Sequence, residues 1–199
     1  GQTRARSRRR PTRARSLNHP LLGARRWPGA VSCGNGRWQQ QRRQGHRQAG
    51  TGAFAGSARR DSLNKKLARA AAQYAREAGA EATFVDLDDY PIPLYHGDLE
   101  AASGMPENAR KLRGILVAHD ALIIASPENN SSMSSLLKNT IDWLSRDVED
   151  GKGESSGLAP WRGKVAGLMA ASPGGFGGVR ALPHLRQILA ALGVTVLGT

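Results

Sequence analysis

From residue 51 onward, short apolar runs alternate with amphipathic segments of helical length, and this order restricts the fold more than any other feature of the sequence. The apolar runs predict strands over residues 51–55, 82–87, 121–125, 164–171 and 194–197. The segments between them predict helices over residues 62–78, 106–118, 134–146 and 179–192. Because strands separated by helices form parallel sheets with helices on both faces, we expect a three-layer α/β domain.

Five strands and four crossover helices fit the strand order 2-1-3-4-5 of flavodoxin-like folds. Right-handed crossovers place the loops that follow the strands along one edge of the sheet, which we call the rim. Ligands of open parallel sheets bind at this rim. Three loops are therefore candidates: loop 1 (residues 56–64), loop 2 (residues 126–132) and loop 3 (residues 172–178).

The net charge of +13 belongs entirely to the first quarter of the chain. Residues 1–50 hold thirteen arginines and no lysine, aspartate or glutamate, whereas residues 51–199 hold sixteen basic and sixteen acidic side chains. Arguments for nucleic-acid or anionic-membrane binding from charge therefore concern this segment and not the predicted domain.

Apolar residues in segment 1–50 are sparse and follow neither a helical nor a strand period, so we expect a disordered tail. Three interpretations remain open: a basic arm that binds phosphate backbones, an organelle transit peptide, and a segment that is not a native coding sequence. The third interpretation follows from two features of the segment. It contains arginine but no lysine, and it is rich in residues with GC-rich codons.

The remaining composition narrows the function classes. Cys33 is the only cysteine, and no Cys/His cluster has zinc-ligand spacing, so we expect no internal disulfide and no metal site. A reducing, cytoplasmic compartment is the default for such a chain. No run of eighteen apolar residues suggests a membrane span.

Loop 1 combines polar side chains with a predicted helix N-terminus. It reads Gly56-Ser57-Ala58-Arg59-Arg60-Asp61-Ser62-Leu63-Asn64. Hydroxyls, a guanidinium and the free N–H groups of a helix N-terminus together predict a site for a phosphomonoester. The alternative is an ordinary helix cap at Asp61 or Ser62, with Arg59 in solvent.

Loops 2 and 3 offer different chemistry. Loop 2 reads Ser126-Pro127-Glu128-Asn129-Asn130-Ser131-Ser132, and its amides and hydroxyls suit the edge of a flat heterocycle. Loop 3 reads Ser172-Pro173-Gly174-Gly175-Phe176-Gly177-Gly178, and its glycines let the backbone approach a planar ligand. The alternatives are a capped turn entering a helix for loop 2 and a flexible surface loop for loop 3.

These three segments resemble the NAD(P)H-dependent FMN reductase family, which includes quinone, chromate and azo reductases. Gly56-Ser57-x-Arg59-x-x-Ser62-x-Asn64 is similar to its phosphate loop. Residues 126–132 and Leu137-Lys138-Asn139-x-Ile141-Asp142-Trp143 resemble its Pro-Glu-Tyr-Asn segment and the helix that follows. Loop 3 resembles its third loop. The resemblance implies a cytoplasmic flavodoxin-like enzyme that binds FMN and passes electrons from NADPH or NADH to a small-molecule acceptor.

The resemblance also implies a set of cofactor-binding residues and an assembly. The FMN phosphate is expected at Ser57, Arg59, Ser62, Leu63 and Asn64, and the isoalloxazine ring at Pro127, Glu128, Asn129, Asn130 and Ser131, with Ser172, Gly174 and Gly175 on its other side. We expect a homodimer or homotetramer formed partly through the helix at residues 136–146, where Trp143 serves either the interface or the core. No side chain is named as catalytic, and we expect His96, His119 and His184 to be surface or packing residues.

Two other functions stay in view. A flavodoxin-type electron carrier would bind FMN without oxidising NAD(P)H by itself. A nucleic-acid-binding protein would use the arginine-rich segment, and its affinity would fall steeply with salt.

Three features depart from the family pattern. Asn129 replaces the usual aromatic residue, the residues before Phe54 lack the β-branched run expected of the first strand, and the sequence stops at Thr199, where the family continues into a final helix. A domain of residues 51–199 truncated before that helix would leave one sheet face uncovered. We therefore expect weak retention of FMN by this chain.

Overall fold

The computed structural model describes residues 49–149 and 154–198. The expected disordered tail and all three of its interpretations fall on residues 1–50, of which 1–48 lie outside the described residues.

Nine strands and five α-helices form the described part of the chain. In chain order the strands are β1 (Gly50–Ala55), β2 (Glu81–Val85), β3 (Ala121–Ala125), β4 (Glu128–Asn129), β5 (Ser132–Met133), β6 (Val148–Glu149), β7 (Glu154–Ser155), β8 (Val165–Met169) and β9 (Thr195–Leu197). The helices are α1 (Leu63–Glu77), α2 (Gly97–Ser103), α3 (Glu107–Val117), α4 (Ser135–Leu144) and α5 (Ala181–Ala191). None of these helices is both long and apolar enough to cross a membrane.

The main sheet has the order β2-β1-β3-β8-β9, and every neighbouring pair is parallel. Without the two short hairpins β4–β5 and β6–β7, this is the predicted order 2-1-3-4-5, and the flavodoxin-like α/β architecture is confirmed. The predicted strands and helices are all present, with bounds that differ by a few residues.

The two faces of the sheet pack against different helices. Ala55 and Ala125 face α1, where they contact Ala68 in a small cluster. The opposite face supplies the larger core, which joins sheet residues to α3, α4 and α5 through Phe54, Leu122, Ile124, Leu112, Leu116, Leu137, Ile141, Leu185 and Leu189. Burial of these apolar side chains is the main source of the domain's stability.

The central strand β1 forms although Thr51 is its only β-branched residue. All six of its residues are buried. The ring of His119 lies 3.4 Å from the place where a Cβ of Gly50 would be and 3.6 Å from that of Gly52. The imidazole, held by Nδ1 at 2.6 Å from the carbonyl oxygen of Ile115, thus fills the space that larger strand residues would occupy. His119 has the packing role expected from the sequence.

One half of the sheet is open on the α1 side. Val165 is 37% exposed and Leu197 60% exposed, and no atom lies within 4 Å of the place where a Cβ of Gly167 would be. Register pairs Gly167 with Ile123 and Leu197, so these positions lie on one face. Within the described residues, that face is apolar and uncovered over β8 and β9.

The segment between β2 and α3 contains two short elements that the sequence does not predict, a 3-10 helix at Leu87–Asp89 and the helix α2. The loop predicted over residues 88–95 is otherwise confirmed, because residues 90–96 form neither helix nor strand. Trp143 is fully buried, donates from Nε1 to the carbonyl oxygen of Pro93 at 2.8 Å and meets the ring of Tyr95 edge-on at 5.1 Å. Of the two roles considered for Trp143, the structure shows core packing.

Candidate cofactor site

Loop 1 presents an open helix N-terminus. Ser62 caps α1, because its Oγ accepts from the N–H of Lys65 at 3.3 Å. The first helical bond runs from the N–H of Lys66 to the carbonyl oxygen of Ser62, so the N–H groups of Leu63 and Asn64 precede it. Arg59 is exposed, and no ion pair with another described residue holds its guanidinium. The capping role of Ser62 is therefore compatible with an anion site at this helix end.

A buried lysine, which the sequence analysis does not identify, links loop 1 to the end of β2. Lys65 is 3% exposed. Its Nζ lies 2.7 Å from Oδ1 of Asp86, just after β2, and donates to the carbonyl oxygen of Ala58 at 3.3 Å. The signal in the sequence is the spacing from Lys65 to Ala68 and Ala72, which places the lysine on the buried stripe of α1.

Asn64 connects loop 1 to loop 3. Its Nδ2 donates to the carbonyl oxygen of Ala171 at 2.9 Å, and its Oδ1 accepts from the N–H of Ala171 at 3.0 Å. The side chain is 3% exposed. The amide that the resemblance assigns to the FMN phosphate thus bonds to the backbone immediately before Ser172.

Gly56 connects loop 1 to the segment that follows loop 2. Its N–H donates to the carbonyl oxygen of Ala125 at 2.9 Å, and its own carbonyl accepts from Oγ of Ser134 at 2.5 Å. A Cβ at Gly56 would lie 2.7 Å from Cβ of Leu137. Only glycine permits this close approach between the end of β1 and the start of α4.

Loop 2 is a hairpin, which the sequence analysis did not predict. Residues Glu128 and Asn129 of β4 pair antiparallel with β5, and Asn130 and Ser131 form the two-residue turn with φ of 50° and 64°. Two left-handed residues are what a tight hairpin turn requires. Asn129, Asn130 and Ser131 are exposed, and Pro127 and Glu128 are partly buried.

Glu128 connects loop 2 to the end of loop 3. Its carboxylate accepts from Nε of Arg180 at 2.6 Å and from the backbone N–H of Arg180 at 3.2 Å, and it also contacts the second guanidinium nitrogen. The hydrogen bond from Arg180 lowers the pKa of Glu128 below its ordinary value. The guanidinium carbon of Arg180 lies 4.9 Å from the centre of the Phe176 ring.

Loop 3 leaves its backbone open. Ser172, Gly174 and Gly175 are exposed, and no atom lies within 4 Å of the place where a Cβ of Gly175 would be. The hydroxyl of Ser172 accepts from the N–H of Gly174 at 3.2 Å. Three connections thus join segments that are far apart in sequence. The loops leave at the rim an uncharged turn, open backbone N–H groups and the exposed guanidinium of Arg59, which has no ion pair within the part of the chain that the structure describes. This donor set fits a phosphorylated planar cofactor.

A separate groove of about 780 Å³ lies between the hairpin, α4 and α5. We call it the α4–α5 groove; Asn129, Asn130, Lys138, His184, Gln187 and Ile188 are among its lining residues. Nδ1 of His184 lies 2.9 Å from Oγ of Ser132. The groove includes two of the residues predicted to line the isoalloxazine ring and no residue of loops 1 or 3.

In the described ranges no group of three His, Cys, Asp or Glu side chains is placed to hold a metal ion.

A flavodoxin-like sheet whose rim joins an open helix N-terminus, a polar hairpin and a glycine-rich loop defines a protein that holds a phosphorylated planar cofactor. The sequence profile described as NADPH-dependent FMN reductase matches residues 51–199, and the chain belongs to this family.

Individual relatives agree. The chain is 37% identical over 142 residues to a 2-hydroxy-1,4-benzoquinone reductase of a Burkholderia species. This alignment covers 71% of this chain and 70% of the relative. The chain is also 45% identical over 103 residues to an NAD(P)H-dependent FMN reductase of Pseudomonas aeruginosa. That alignment covers 52% of this chain and 50% of the relative. The fold is similar, with a TM-score of 0.59 and 30% identity, to the flavoenzyme NAD(P)H:(acceptor) oxidoreductase from Paracoccus denitrificans, with 76% of each chain covered.

These findings confirm the predicted family, the oxidoreductase class, and FMN and NAD(P)H as the cofactor and electron donor that the family uses. The contacts of individual residues with FMN remain predictions. The matched stretch spans about half the length of the Pseudomonas relative.

Proposed function

We propose that this chain binds FMN at the rim and catalyses the NAD(P)H-dependent two-electron reduction of a small acceptor. The observation that carries the proposal is the set of three connections, Asn64 to Ala171, Gly56 to Ser134 and Glu128 to Arg180. They join the three loops at one edge of the sheet through residues that lie within two positions of loops 2 and 3. FMN supplies the hydride chemistry when it is bound, and the protein supplies position and electrostatics.

The phosphate of FMN is assigned to loop 1. Ser57 and Ser62 supply hydroxyls, the N–H groups of Leu63 and Asn64 supply donors, and Arg59 supplies the compensating charge. Support comes from the open first turn of α1 and from the exposed guanidinium of Arg59. The helix N-terminus favours a dianion at this position. Asn64 contributes mainly through its bonds to Ala171, because both ends of its amide are already used.

The isoalloxazine ring is assigned to the space between loops 2 and 3. On one side the proposal places Pro127, Glu128, Asn129, Asn130 and Ser131, and on the other Ser172, Gly174 and Gly175. The exposed hairpin turn and the open backbone of loop 3 support this assignment. Glu128 acts by holding the hairpin to Arg180, since its carboxylate is occupied by that residue.

The acceptor is a quinone or a free flavin. A relative named as a 2-hydroxy-1,4-benzoquinone reductase supports the quinone. In the balanced reaction, NAD(P)H and one proton reduce the quinone to the hydroquinone and leave NAD(P)⁺. No side chain of this chain is assigned a proton transfer.

The protein is further proposed to act in the cytoplasm as a homodimer or homotetramer. The α4–α5 groove supports assembly, because it is a concave surface on helices that the monomer leaves open. Light scattering of the purified chain tests this point, and a monomer at micromolar concentration contradicts it.

Anaerobic spectroscopy tests the proposed reaction. The purified full chain is loaded with FMN, NADPH is added without oxygen, and a benzoquinone is then injected. The proposal predicts that the oxidised flavin bands bleach with NADPH and return with the quinone. A flavodoxin-type carrier would keep its oxidised bands after NADPH, and a chain that takes up no FMN would rule out both functions.

A further inference from the structure

We infer that Phe176 forms an aromatic wall of the flavin site and that Arg180, held by Glu128, is the positioning residue that keeps the ring in place. The inference rests on the proposed binding of FMN at the rim. It adds two residues to the site that neither the sequence motifs nor the comparisons assign.

Phe176 is the only aromatic residue in loops 1, 2 and 3. Its side chain is 68% exposed, and it stands outside both core clusters. The residues that follow it, Gly177 and Gly178, have φ of 59° and 87°. A Cβ at Gly178 would lie 3.1 Å from Cβ of Ala170, so this glycine lets loop 3 fold back over the end of β8. The ring is therefore presented at the rim and not drawn into the core.

Arg180 fixes one face of this ring. Its guanidinium carbon lies 4.9 Å from the ring centre, within the range of a cation–π contact. The guanidinium cannot turn away easily, because Glu128 accepts from its Nε and contacts its second nitrogen. The Glu128 side chain is only 10% exposed, against 52% for Arg180. Glu128 of loop 2 thus sets the position of Phe176 in loop 3 by holding Arg180 against the ring.

The other face of Phe176 suits a flat π-system. Aromatic rings stack in offset or edge-on geometry at centroid separations of about 4.5–7 Å. Loop 2 offers no aromatic surface, since Asn129 is an amide. A planar ring seated between loops 2 and 3 would therefore find its stacking partner on loop 3.

Flavin fluorescence tests the inference without any activity measurement. FMN is titrated into the full chain and into Phe176→Ala, Phe176→Trp, Tyr74→Ala and Tyr74→Trp. Tyr74 on α1 is a matched control, because its side chain is 69% exposed. We expect Phe176→Ala to raise the Kd for FMN about three- to tenfold, as the loss of one aromatic contact would. An indole that touches the flavin quenches its emission, so Phe176→Trp is expected to reduce the emission of bound FMN severalfold.

The role of Arg180 is read in the Phe176→Trp background. Adding Arg180→Met is expected to restore much of the flavin emission, because the indole is no longer held, and Arg180→Lys is expected to give an intermediate value. If Arg180→Met fails to fold by circular dichroism, Glu128→Gln serves instead.

Two results separate this inference from the proposed function. Bound-flavin emission in Phe176→Trp equal to that in Tyr74→Trp, with an unchanged Kd in Phe176→Ala, would overturn the role of Phe176 while leaving FMN binding intact. Absence of FMN binding by the unmodified chain would overturn both.

Discussion

The side-chain amide of Asn64 makes two hydrogen bonds to the backbone of Ala171, donating to its carbonyl oxygen at 2.9 Å and accepting from its N–H at 3.0 Å. One buried side chain thereby replaces a pair of sheet-like backbone bonds at the end of β8. The result is a fixed relation between the start of α1 and the start of loop 3, on which the geometry of the proposed flavin site depends.

Replacing Asn64 by Ala should loosen this relation. The substitution leaves the N–H and carbonyl of Ala171 without their partner, and we expect the free energy of unfolding to fall by about 1–3 kcal/mol. The Kd for FMN should rise as well, because loops 1 and 3 are no longer joined. Urea unfolding and FMN titration measure the two effects.

Asn108→Ala is the matched control, since Asn108 makes an exposed side-chain bond to the carbonyl oxygen of Pro91. Its cost should stay within about 0.5 kcal/mol. Equal effects of the two substitutions on FMN affinity would argue against a positioning role for Asn64.

Gly56→Ala should destabilise the junction of β1 and α4. The added Cβ would lie 2.7 Å from Cβ of Leu137 and 2.9 Å from Oγ of Ser134, so one of these groups must move. Overpacking of this kind costs about 1–3 kcal/mol. In Gly114→Ala, on the exposed side of α3, no atom lies within 4 Å of the new Cβ, and the helix should gain about 0.5–1 kcal/mol. Denaturant unfolding compares the pair; a neutral Gly56→Ala would contradict the tight junction.

The Glu128–Arg180 contact should make the free energy of unfolding depend on pH in the acidic range. The hydrogen bond from Arg180 lowers the folded-state pKa of Glu128 below its ordinary value of 4.5. A carboxyl group with a lowered folded-state pKa stabilises the fold above the unfolded-state pKa, and this contribution is lost as the pH falls through the folded-state pKa.

We therefore expect the difference in urea midpoint between the unmodified chain and Glu128→Gln to be constant from pH 7 to about pH 5 and to shrink below it. Glu81→Gln, at an exposed position of β2, serves as the control. A difference that grows on acidification would show that the sign is wrong.

The uncovered face over β8 and β9 should reduce the retention of FMN by the chain. Val165 and Leu197 expose apolar surface on a strand pair that ends beside loop 3. We expect the purified chain to carry clearly less than one FMN per molecule and to bind a hydrophobic dye such as anilinonaphthalene sulfonate. Leu197→Ser should reduce dye emission while changing the unfolding free energy by less than about 0.5 kcal/mol. Near-stoichiometric FMN after purification would refute the expectation.

Much of the architecture follows from local pattern. The runs at residues 121–125 and 164–171 are apolar enough to be predicted as strands without any knowledge of their neighbours. The sequence predicts a weak central strand because the residues before Phe54 lack a run of β-branched side chains. In the folded chain the ring of His119 fills the space beside Gly50 and Gly52, and no local pattern connects this histidine to them.

The parts that were missed depend on long-range contacts. Helix α2 has no buried residue, so it leaves no apolar period in the sequence; His96 caps it through Nδ1, which accepts from the N–H of Asp98 at 3.2 Å. The hairpin turn at Asn130 and Ser131 lacks the glycine that usually marks one. The rim loops could be assigned from motifs, but the connection of Asn64 to Ala171 spans 107 positions and required the folded chain.

A comparison of FMN with riboflavin tests whether loop 1 binds the phosphate of FMN. Both flavins are titrated into the full chain and into Arg59→Gln, and binding is followed by flavin fluorescence. We expect the unmodified chain to bind FMN at least about tenfold more tightly than riboflavin, a difference of about 1.4 kcal/mol, and Arg59→Gln to remove most of this preference. Equal affinity of the unmodified chain for FMN and riboflavin would contradict it.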